Sequence, residues 1–246
     1  MAAWSVVSME RDNLEKSELK KLWSGLIRLA LIIPIMLGTL LLSAGSWDWW
    51  EAWAYSITGL AVLFGSRAFL ILRAPDLALE RARAHEMENV KGWDRFLMPF
   101  TALIGPFISW IVAGLDQRFG WSPDLPDWIQ IAALTLIQLG SLLGSWAMAV
   151  NRYFSSQVRI QADRGQTVVQ DGPYRFVRHP GYAGGLLSWL VGPVFFSSLW
   201  VVLPTILVMI ASIIRTGLED RTLREELPGY EEYAQQTKYR LVPGIW

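Results

Sequence analysis

The chain has 246 residues, of which 52% are hydrophobic and 13% aromatic, and its 22 basic and 22 acidic residues give a formal net charge of zero. A neutral balance argues against a general attraction to nucleic acid, and the absence of cysteine excludes disulfides, thiolate catalysis and cysteine-ligated metals. The apolar residues fall in long blocks instead of short alternating runs, so the composition predicts an integral membrane protein with several spans.

The first half of the chain predicts three membrane spans separated by polar segments. The spans are Leu22–Leu42, Ala54–Leu72 and Phe96–Leu115, and each has about the twenty residues that a bilayer crossing requires. Charged segments precede the first and the third span, at Glu10–Lys21 and Pro75–Arg95. Both segments predict helices that lie on the membrane surface.

The second half predicts one further span and a helical hairpin. Trp128–Val150 is the fourth span and follows a polar loop at Asp116–Asp127. The apolar stretch Gly181–Gly217 is too long for one crossing, because as a single helix it would measure roughly 50 Å against a hydrocarbon core of about 30 Å. The dipeptide Gly192-Pro193 therefore predicts a break, with a short first arm at about Gly181–Val191.

Prolines and charges refine this outline. Pro99 and Pro106 predict a bend in the third span, and Pro204 predicts a second interruption in the hairpin. The charged segment Glu219–Leu227 predicts a separate helix beyond the hairpin.

Basic residues lie mainly on one side of the predicted spans. They occur in the N-terminal segment and in Arg67–Arg95, Arg152–Arg178 and Arg215–Arg240, whereas the opposite side holds only Arg118. The positive-inside rule therefore predicts that both termini and the central polar loop, Asn151–Pro180, are cytoplasmic.

The polar stretch Asp171–Tyr182, reading DGPYRFVRHPGY, directly precedes and enters the hairpin and is the densest group of functional side chains. Polar groups at a membrane edge need protein or ligand partners, which makes this stretch the first candidate for a site. His179 either binds a ligand through a neutral imidazole or caps the helix that follows. Arg215 and Glu219 lie four residues apart on one helix face, where they either pair with each other or converge on a ligand.

Motifs for metals and nucleotides are missing from the sequence. His85 with Glu86 and Glu88 lacks the second histidine of a zinc-binding HExxH helix, so a solvated helix face is the better interpretation. No two glycines are spaced as G-x-G, which argues against a Rossmann fingerprint and a P-loop. We therefore predict no metal, and the neutral charge balance predicts no nucleic-acid partner.

The motifs VRIQ, QTVVQDGPY and RFVRHPGY fall within Asn151–Tyr182, and RTGLED, LPGYEEY and RLVPGIW follow from Arg215 onward. Together these motifs resemble the isoprenylcysteine carboxyl methyltransferase family of integral membrane enzymes. The resemblance divides the chain into an N-terminal transmembrane region, residues 1–127, and a methyltransferase core, residues 128–246. It implies an all-α membrane protein with about four transmembrane helices plus a C-terminal helical hairpin, a cytoplasmic cofactor pocket and no Rossmann domain.

The same resemblance implies a cofactor and the residues that bind it. The cofactor would be S-adenosylmethionine, and its ligands would be Gln161, Gln166, Thr167, Val168, Val169, Tyr174, His179, Pro180, Gly181, Tyr182 and Glu219. Arg215 matches the position that faces the methyl acceptor, so Arg215 and Glu219 are the predicted catalytic residues. Two positions depart from the family pattern: Gln166 stands where a histidine is frequent, and Asp220 stands where a second glutamate is usual.

The family also implies a lipophilic acceptor that reaches the site from among the membrane lipids. An isoprenylcysteine-like carboxylate is one such acceptor; it is ionised at neutral pH, and Arg215 would orient it best through a bidentate contact. A thiol, phenol or amine acceptor would instead need a base, for which Glu219 and His179 are the candidates.

Two other functions compete with methyl transfer. Sterol and steroid reductases resemble this family in their C-terminal half, so an NADPH-dependent membrane reductase is the first alternative. The second is a membrane scaffold or transporter without enzymatic activity.

Overall fold

A computed structural model describes residues 31–32, 34–73 and 89–246 of the chain. The predicted surface helix at Glu10–Lys21 lies outside these residues, as do the first part of the predicted span Leu22–Leu42 and the segment around His85.

The regular structure within the described ranges is helical, with no strand. The described residues form seven α-helices: α1 (Pro34–Ala44), α2 (Trp50–Arg73), α3 (Asp94–Phe119), α4 (Asp127–Val150), α5 (Pro180–Phe195), α6 (Val202–Glu226) and α7 (Tyr230–Gln236). Of these, α3, α4 and α6 are long and apolar enough to cross a membrane, which confirms the membrane class of the prediction.

The predicted spans of the first half lie within helices that are longer than expected. Ala54–Leu72 lies in α2, and Phe96–Leu115 lies in α3. The loop predicted at Asp116–Asp127 is shorter in the structure, because α3 continues to Phe119. Gly120 ends that helix with φ at 62° and donates its N–H to the Asp116 carbonyl at 2.7 Å, a left-handed cap that glycine adopts without strain.

Helix α3 is irregular near its first proline. A π-helical segment, Phe100–Ile104, directly follows Pro99, and regular α-helix resumes at Gly105 with Pro106 in its first turn. Pro99 has no N–H to donate to the preceding turn, and a change of hydrogen-bond pattern is one way to absorb that loss. Such segments are frequent at functional sites, and this one lies beside the cavity described below.

The predicted break at Gly192-Pro193 is wrong. Helix α5 passes through both residues and ends at Phe195, where the N–H of Ser198 binds the Pro193 carbonyl at 2.9 Å and the N–H of Ser197 binds the Val194 carbonyl at 3.2 Å. These two bonds form a Schellman cap with Ser197 in the left-handed region, at φ 49°.

Helix α6 also differs from the prediction. Pro204 is the third residue of the helix and does not interrupt it, because an N–H in the first turn has no partner within the helix. The charged segment predicted as a separate helix from Glu219 is the continuation of α6 to Glu226. The helix ends there because Leu227 precedes Pro228 and takes an extended backbone, with ψ at 111°.

Close backbone contact joins α4 to α5. A Cβ atom built on Gly140 would lie 2.4 Å from the Gly184 carbonyl oxygen, and one built on Gly184 would lie 2.2 Å from the Gly140 oxygen. The two helices therefore cross where neither carries a side chain, an arrangement that lets helix backbones approach closely in membranes. This crossing sets the position of α5, whose first turn carries the predicted site residues.

Three loops meet at the end of the bundle opposite to that first turn. The Asp116 carboxylate accepts hydrogen bonds from Ser122 and Ser198, and Ser197 Oγ accepts the N–H of Leu125 at 3.1 Å. The ring of Trp49 packs on Phe196 with centroids 5.8 Å apart. These contacts join the α1–α2, α3–α4 and α5–α6 turns into one end of the bundle.

Candidate active site

A cavity of about 340 Å³ lies at the other end, between α3, the polar loop before α5, α6 and the C-terminal segment. Helix α3 contributes Met98 and Ala102, and α6 contributes Arg215, Glu219 and Leu223. A volume of this order is typical of small-molecule sites, and its mixed polar and apolar wall suits an amphiphilic ligand.

The cavity brings together the predicted site residues with one exception. Those on its wall are Gln161, Gln166, Thr167, Val168, Val169, Tyr174, His179, Gly181, Tyr182, Arg215 and Glu219. Pro180 is buried as the first residue of α5, where its missing N–H has no consequence. Whether these residues bind a cofactor stays a prediction; that one cavity gathers them is a finding.

Arg178 anchors the RHP turn to α6. Its Nε and Nη2 donate to the two carboxylate oxygens of Asp220 at 2.7 and 3.0 Å, and its Nη1 donates to the carbonyls of Thr237 and Lys238. Burial would lower the pKa of the Arg178 guanidinium, but the hydrogen bonds and charge of Asp220 outweigh burial, so the pKa is raised. This arginine therefore stays charged and serves the fold of the site.

Asp220 is the centre of a larger buried network. Besides Arg178, its carboxylate hydrogen-bonds with His179 Nε2 at 3.2 Å and accepts from the Tyr230 hydroxyl at 3.2 Å and from Arg240 Nε at 2.8 Å. The Asp220 side chain has no exposed surface. The residue identified from sequence only as a departure from glutamate thus holds three separate parts of the chain together.

The C-terminal segment is part of the site. The N–H groups of Arg178 and His179 donate to the carbonyls of Tyr239 and Arg240, both at 2.9 Å, and the Tyr233 hydroxyl donates to the Tyr174 carbonyl at 2.7 Å. Burial raises the pKa of the Tyr233 hydroxyl above its usual value, so it remains a donor at physiological pH. The turn before α5 is therefore held by backbone as well as side-chain contacts.

Two glutamines predicted as cofactor ligands also shape the loop that lines the cavity. Gln161 donates Nε2 to the Tyr153 carbonyl at 2.6 Å and accepts from Arg164 through Oε1 at 2.6 Å. Gln166 Oε1 accepts the Gln161 backbone N–H at 2.7 Å, which closes the loop on itself. The polar atoms of Gln161 are thus committed to the fold, although its side chain lies on the cavity wall.

Arg215 and Glu219 have separate partners. Arg215 donates Nε and Nη2 to the carboxylate oxygens of Asp94 at 2.6 and 3.2 Å, while Glu219 Oε2 accepts the Tyr182 hydroxyl at 2.6 Å. The Arg215 guanidinium carbon lies 5.4 Å from the centroid of the Tyr182 ring, within reach of a cation–π contact. Arg215 and Glu219 thus each bind another residue of the described chain, and both line the same cavity; that they converge on a ligand stays a prediction.

Three important residues of the site were not among the predicted site residues. Asp94 and Asp220 are fully buried and bind the arginines of the site, and Tyr230 lines the cavity beside His179. Asp94 could have been noticed, since a carboxylate directly before an apolar span must find a partner. Its partner could not, because Arg215 is 121 residues away.

The described parts of the chain contain no group of three or more His, Asp and Glu side chains that could hold a metal ion.

Residues 128–228 match the model of the phospholipid methyltransferase family. The matched residues contain α4, the polar loop, α5 and α6, and hence the predicted site residues from Gln161 to Glu219. This match supports the resemblance to the isoprenylcysteine carboxyl methyltransferase family that the sequence motifs carry.

Two curated proteins are similar to this chain over part of its length. The cobalt-zinc-cadmium resistance protein CzcN of Cupriavidus metallidurans is 33% identical over 133 residues, which are 53% of this chain and 57% of that protein. The protein-S-isoprenylcysteine O-methyltransferase B of Arabidopsis thaliana is 36% identical over 66 residues, 26% of this chain and 33% of that protein. The chain thus spans about half of the first relative and a third of the second. The family match and the plant relative support the prediction of a membrane methyltransferase and do not favour the reductase alternative.

Proposed function

We propose that this protein is a membrane methyltransferase that transfers a methyl group from S-adenosylmethionine to a lipophilic acceptor. The observation that carries the proposal is the single cavity in which the RHPGY turn, the 161–169 loop and the Arg215–Glu219 face of α6 converge within the residues that match the family.

The chemical groups of the cavity fit such a cofactor. Glu219 has one carboxylate oxygen bonded to Tyr182, and its other oxygen makes no hydrogen bond in the described part of the chain, so it suits an ammonium or ribose hydroxyl group. The backbone N–H groups of Gly181 and Tyr182 lie in the first turn of α5, where they suit a carboxylate.

The shape of the wall fits as well. A Cβ atom on Gly181 would lie 2.9 Å from the ring of Phe154, so only glycine leaves this part of the wall open without displacing the ring. Tyr174 is held at its hydroxyl by Asn151 and at its carbonyl by Tyr233, which gives the cavity a fixed aromatic face for a planar group.

When bound, S-adenosylmethionine supplies an electrophilic methyl group on a sulfonium. The contribution of this chain is then to align the acceptor with that methyl and to exclude water, and positioning can provide a large share of the rate in such a displacement. Arg215 faces the acceptor, while Glu219 is the carboxylate available to a proton or a cation. Met98, Ala102 and Phe154 provide apolar surface for a lipophilic body.

We further propose that the cavity and both termini face the cytoplasm, as the distribution of basic residues predicts. The acceptor name carried by the plant relative, isoprenylcysteine, belongs to that protein; it indicates here a lipid-linked acceptor class that is compatible with a cavity beside membrane-spanning helices.

Calorimetric titration with S-adenosylhomocysteine tests the proposal. The protein in lipid nanodiscs should bind this product, and Glu219→Gln should weaken binding by roughly tenfold or more, because a charge-assisted contact is lost. The matched control is Glu225→Gln, which removes a carboxylate from an exposed pair with Arg221 on the same helix and should leave affinity unchanged. Equal affinity of the wild type and Glu219→Gln would reject the cofactor role of Glu219, and no binding at all would reject the function.

A further inference from the structure

The charges around the cavity limit the kind of acceptor that it can take. Three arginines line the cavity, and each is paired with an aspartate: Arg159 with Asp163, Arg178 with Asp220, and Arg215 with Asp94. Glu219 is the lining carboxylate, and in the described part of the chain its hydrogen-bond partner is the neutral hydroxyl of Tyr182. In the described part of the chain, each lining arginine is therefore already in contact with a carboxylate.

The pair between Asp94 and Arg215 is the most important of the three, because Arg215 is the residue that matches the acceptor position. The Asp94 side chain is fully buried and that of Arg215 is 11% exposed. Asp94 Oδ2 also accepts the N–H of Val158 at 2.7 Å, so the carboxylate is fixed by backbone as well as by the guanidinium. Asp94 is therefore a built-in counterion of Arg215.

This pairing occupies the side of the guanidinium that would bind a carboxylate. Nε and Nη2 donate to Asp94, and Nη2 also donates to the Ser156 carbonyl at 2.6 Å. A guanidinium has five N–H groups, so the two on Nη1 are the ones left for a ligand. The bidentate contact expected for a carboxylate acceptor is not available on the Nε side, and one nitrogen can still donate to a single acceptor oxygen or sulfur.

We propose that the acceptor, under the methyl transfer proposed above, is a lipophilic molecule whose reacting group is a neutral hydroxyl or thiol instead of a carboxylate, because Asp94 already neutralises Arg215. An anionic head group would lose its hydration in a cavity whose described arginines already contact aspartates, and it would lie near Glu219. A neutral head group has no such cost and can accept one hydrogen bond from Nη1.

A hydroxyl or thiol must lose its proton during the reaction, and Glu219 is placed to take it. As the oxygen or sulfur of the acceptor forms its bond to the methyl carbon of the sulfonium donor, the bond between methyl and donor sulfur breaks and its electron pair stays on that sulfur. The acceptor proton passes to the Glu219 oxygen that is not bonded to Tyr182, which has two lone pairs and can therefore contact the cofactor and take this proton as well, so atoms and charges balance. A carboxylate acceptor would have no use for this base.

The test compares the binding of two probes, 1-octanol and octanoate, to the protein in lipid nanodiscs at pH 7. The measured quantity is the ratio of the octanoate dissociation constant to the octanol dissociation constant. Partitioning of each probe into lipid is the same for every variant, so it cancels when the ratios of two variants are compared.

Asp94→Asn should lower this ratio by roughly tenfold or more, because Arg215 then carries an unbalanced positive charge. The control Asp171→Asn removes a carboxylate from an exposed pair with Arg175 and should leave the ratio unchanged. A ratio for Asp94→Asn within about twofold of wild type would overturn the inference.

The double variant Asp94→Asn/Arg215→Gln removes both charges, so it also serves if Asp94→Asn fails to fold. It should keep the ratio within about threefold of wild type, since the net charge is unchanged. A rise of about tenfold or more in the double variant would show that Arg215 binds the carboxylate of the wild type's acceptor, which would also overturn the inference.

Titration with S-adenosylhomocysteine separates failure of this inference from failure of the proposed function. If S-adenosylhomocysteine binds and the double variant raises the octanoate-to-octanol ratio by about tenfold or more, the proposed acceptor class is wrong and methyl transfer stands. If that product does not bind to the wild type, methyl transfer is rejected and the acceptor class is rejected with it.

Discussion

Removing the charge of Asp220 should destabilise the protein far more than removing other carboxylates that pair with arginine. Asp220→Asn keeps the shape of the side chain but replaces one charged oxygen with an amide that donates hydrogen bonds. That amide would face N–H donors from Arg178 and Arg240. The variant therefore loses charge and gains a contact between two donors.

Arg224 Nε also donates to Asp220, at 3.3 Å, so three arginines contact this carboxylate, and their exposure sets the magnitude of the loss. The side chains of Arg224 and Arg240 are 34% and 30% exposed, so water compensates much of the loss of their ion pairs. The Arg178 side chain is 2% exposed and would remain as a buried charge without its counterion. Breaking one side of a buried ion pair costs about 3–5 kcal/mol, and we expect the free energy of unfolding of Asp220→Asn to fall by that amount.

The assay is unfolding in mixed micelles at increasing denaturing-detergent fraction, followed by loss of helical circular dichroism. Asp171→Asn is the control, because its pair with Arg175 is exposed and should contribute less than about 1 kcal/mol. The double variant Arg178→Gln/Asp220→Asn should lose less free energy of unfolding than the two single variants together, because the buried charge of Arg178 is also removed. A loss below about 1 kcal/mol in Asp220→Asn would refute the central role of this carboxylate.

Three further predictions concern the same region. Asp220→Glu restores the glutamate that is usual in the family but should still cost about 1–3 kcal/mol in the free energy of unfolding, because an extra methylene must fit into a site with no exposed surface; stability equal to wild type would contradict this. Gly181→Ala should displace the Phe154 ring and so weaken the binding of S-adenosylhomocysteine measured by calorimetry. The control Gly185→Ala should not weaken binding, because its Cβ would meet nothing within 4 Å. Equal effects of the two variants would contradict the proposed cavity wall. Gly184→Ala should force α4 and α5 apart and lower the thermal unfolding temperature. The control Gly144→Ala should change that temperature little, because its Cβ would stay 4.0 Å from the nearest atom. Similar unfolding temperatures for the two variants would contradict the close crossing of the helices.

The parts of the site that are contiguous in sequence could be predicted. The stretch from Tyr174 to Tyr182 carries its own motif, and the apolar block after it is too long for one crossing, so the turn and the hairpin followed from local pattern. The length of each hairpin arm could not be predicted in the same way. Gly192 and Pro193 are typical helix breakers, but α5 continues through both, and the Schellman cap at Ser197 decides where α5 stops.

The partners of the buried charges could not be predicted because they come from distant segments. Asp94 and Arg215 are 121 residues apart, and the Asp220 network joins residues from the loop before α5, from α6 and from the C-terminal segment. A sequence shows that such charges must be paired, since unpaired charges near a membrane are costly, but not with which residue. Because the sequence does not show that Asp94 pairs with Arg215, Arg215 was expected to bind a carboxylate acceptor through a bidentate contact. In the structure Asp94 makes that contact.

The proposed function requires the cavity to bind a methyl donor. Parallel calorimetric titrations of the wild-type protein in nanodiscs, one with S-adenosylhomocysteine and one with NADPH, test this requirement. We expect saturable binding of S-adenosylhomocysteine, weakened in His179→Ala and Glu219→Gln, and no binding of NADPH. Binding of NADPH without binding of S-adenosylhomocysteine would contradict the proposed function and place the protein with the reductases.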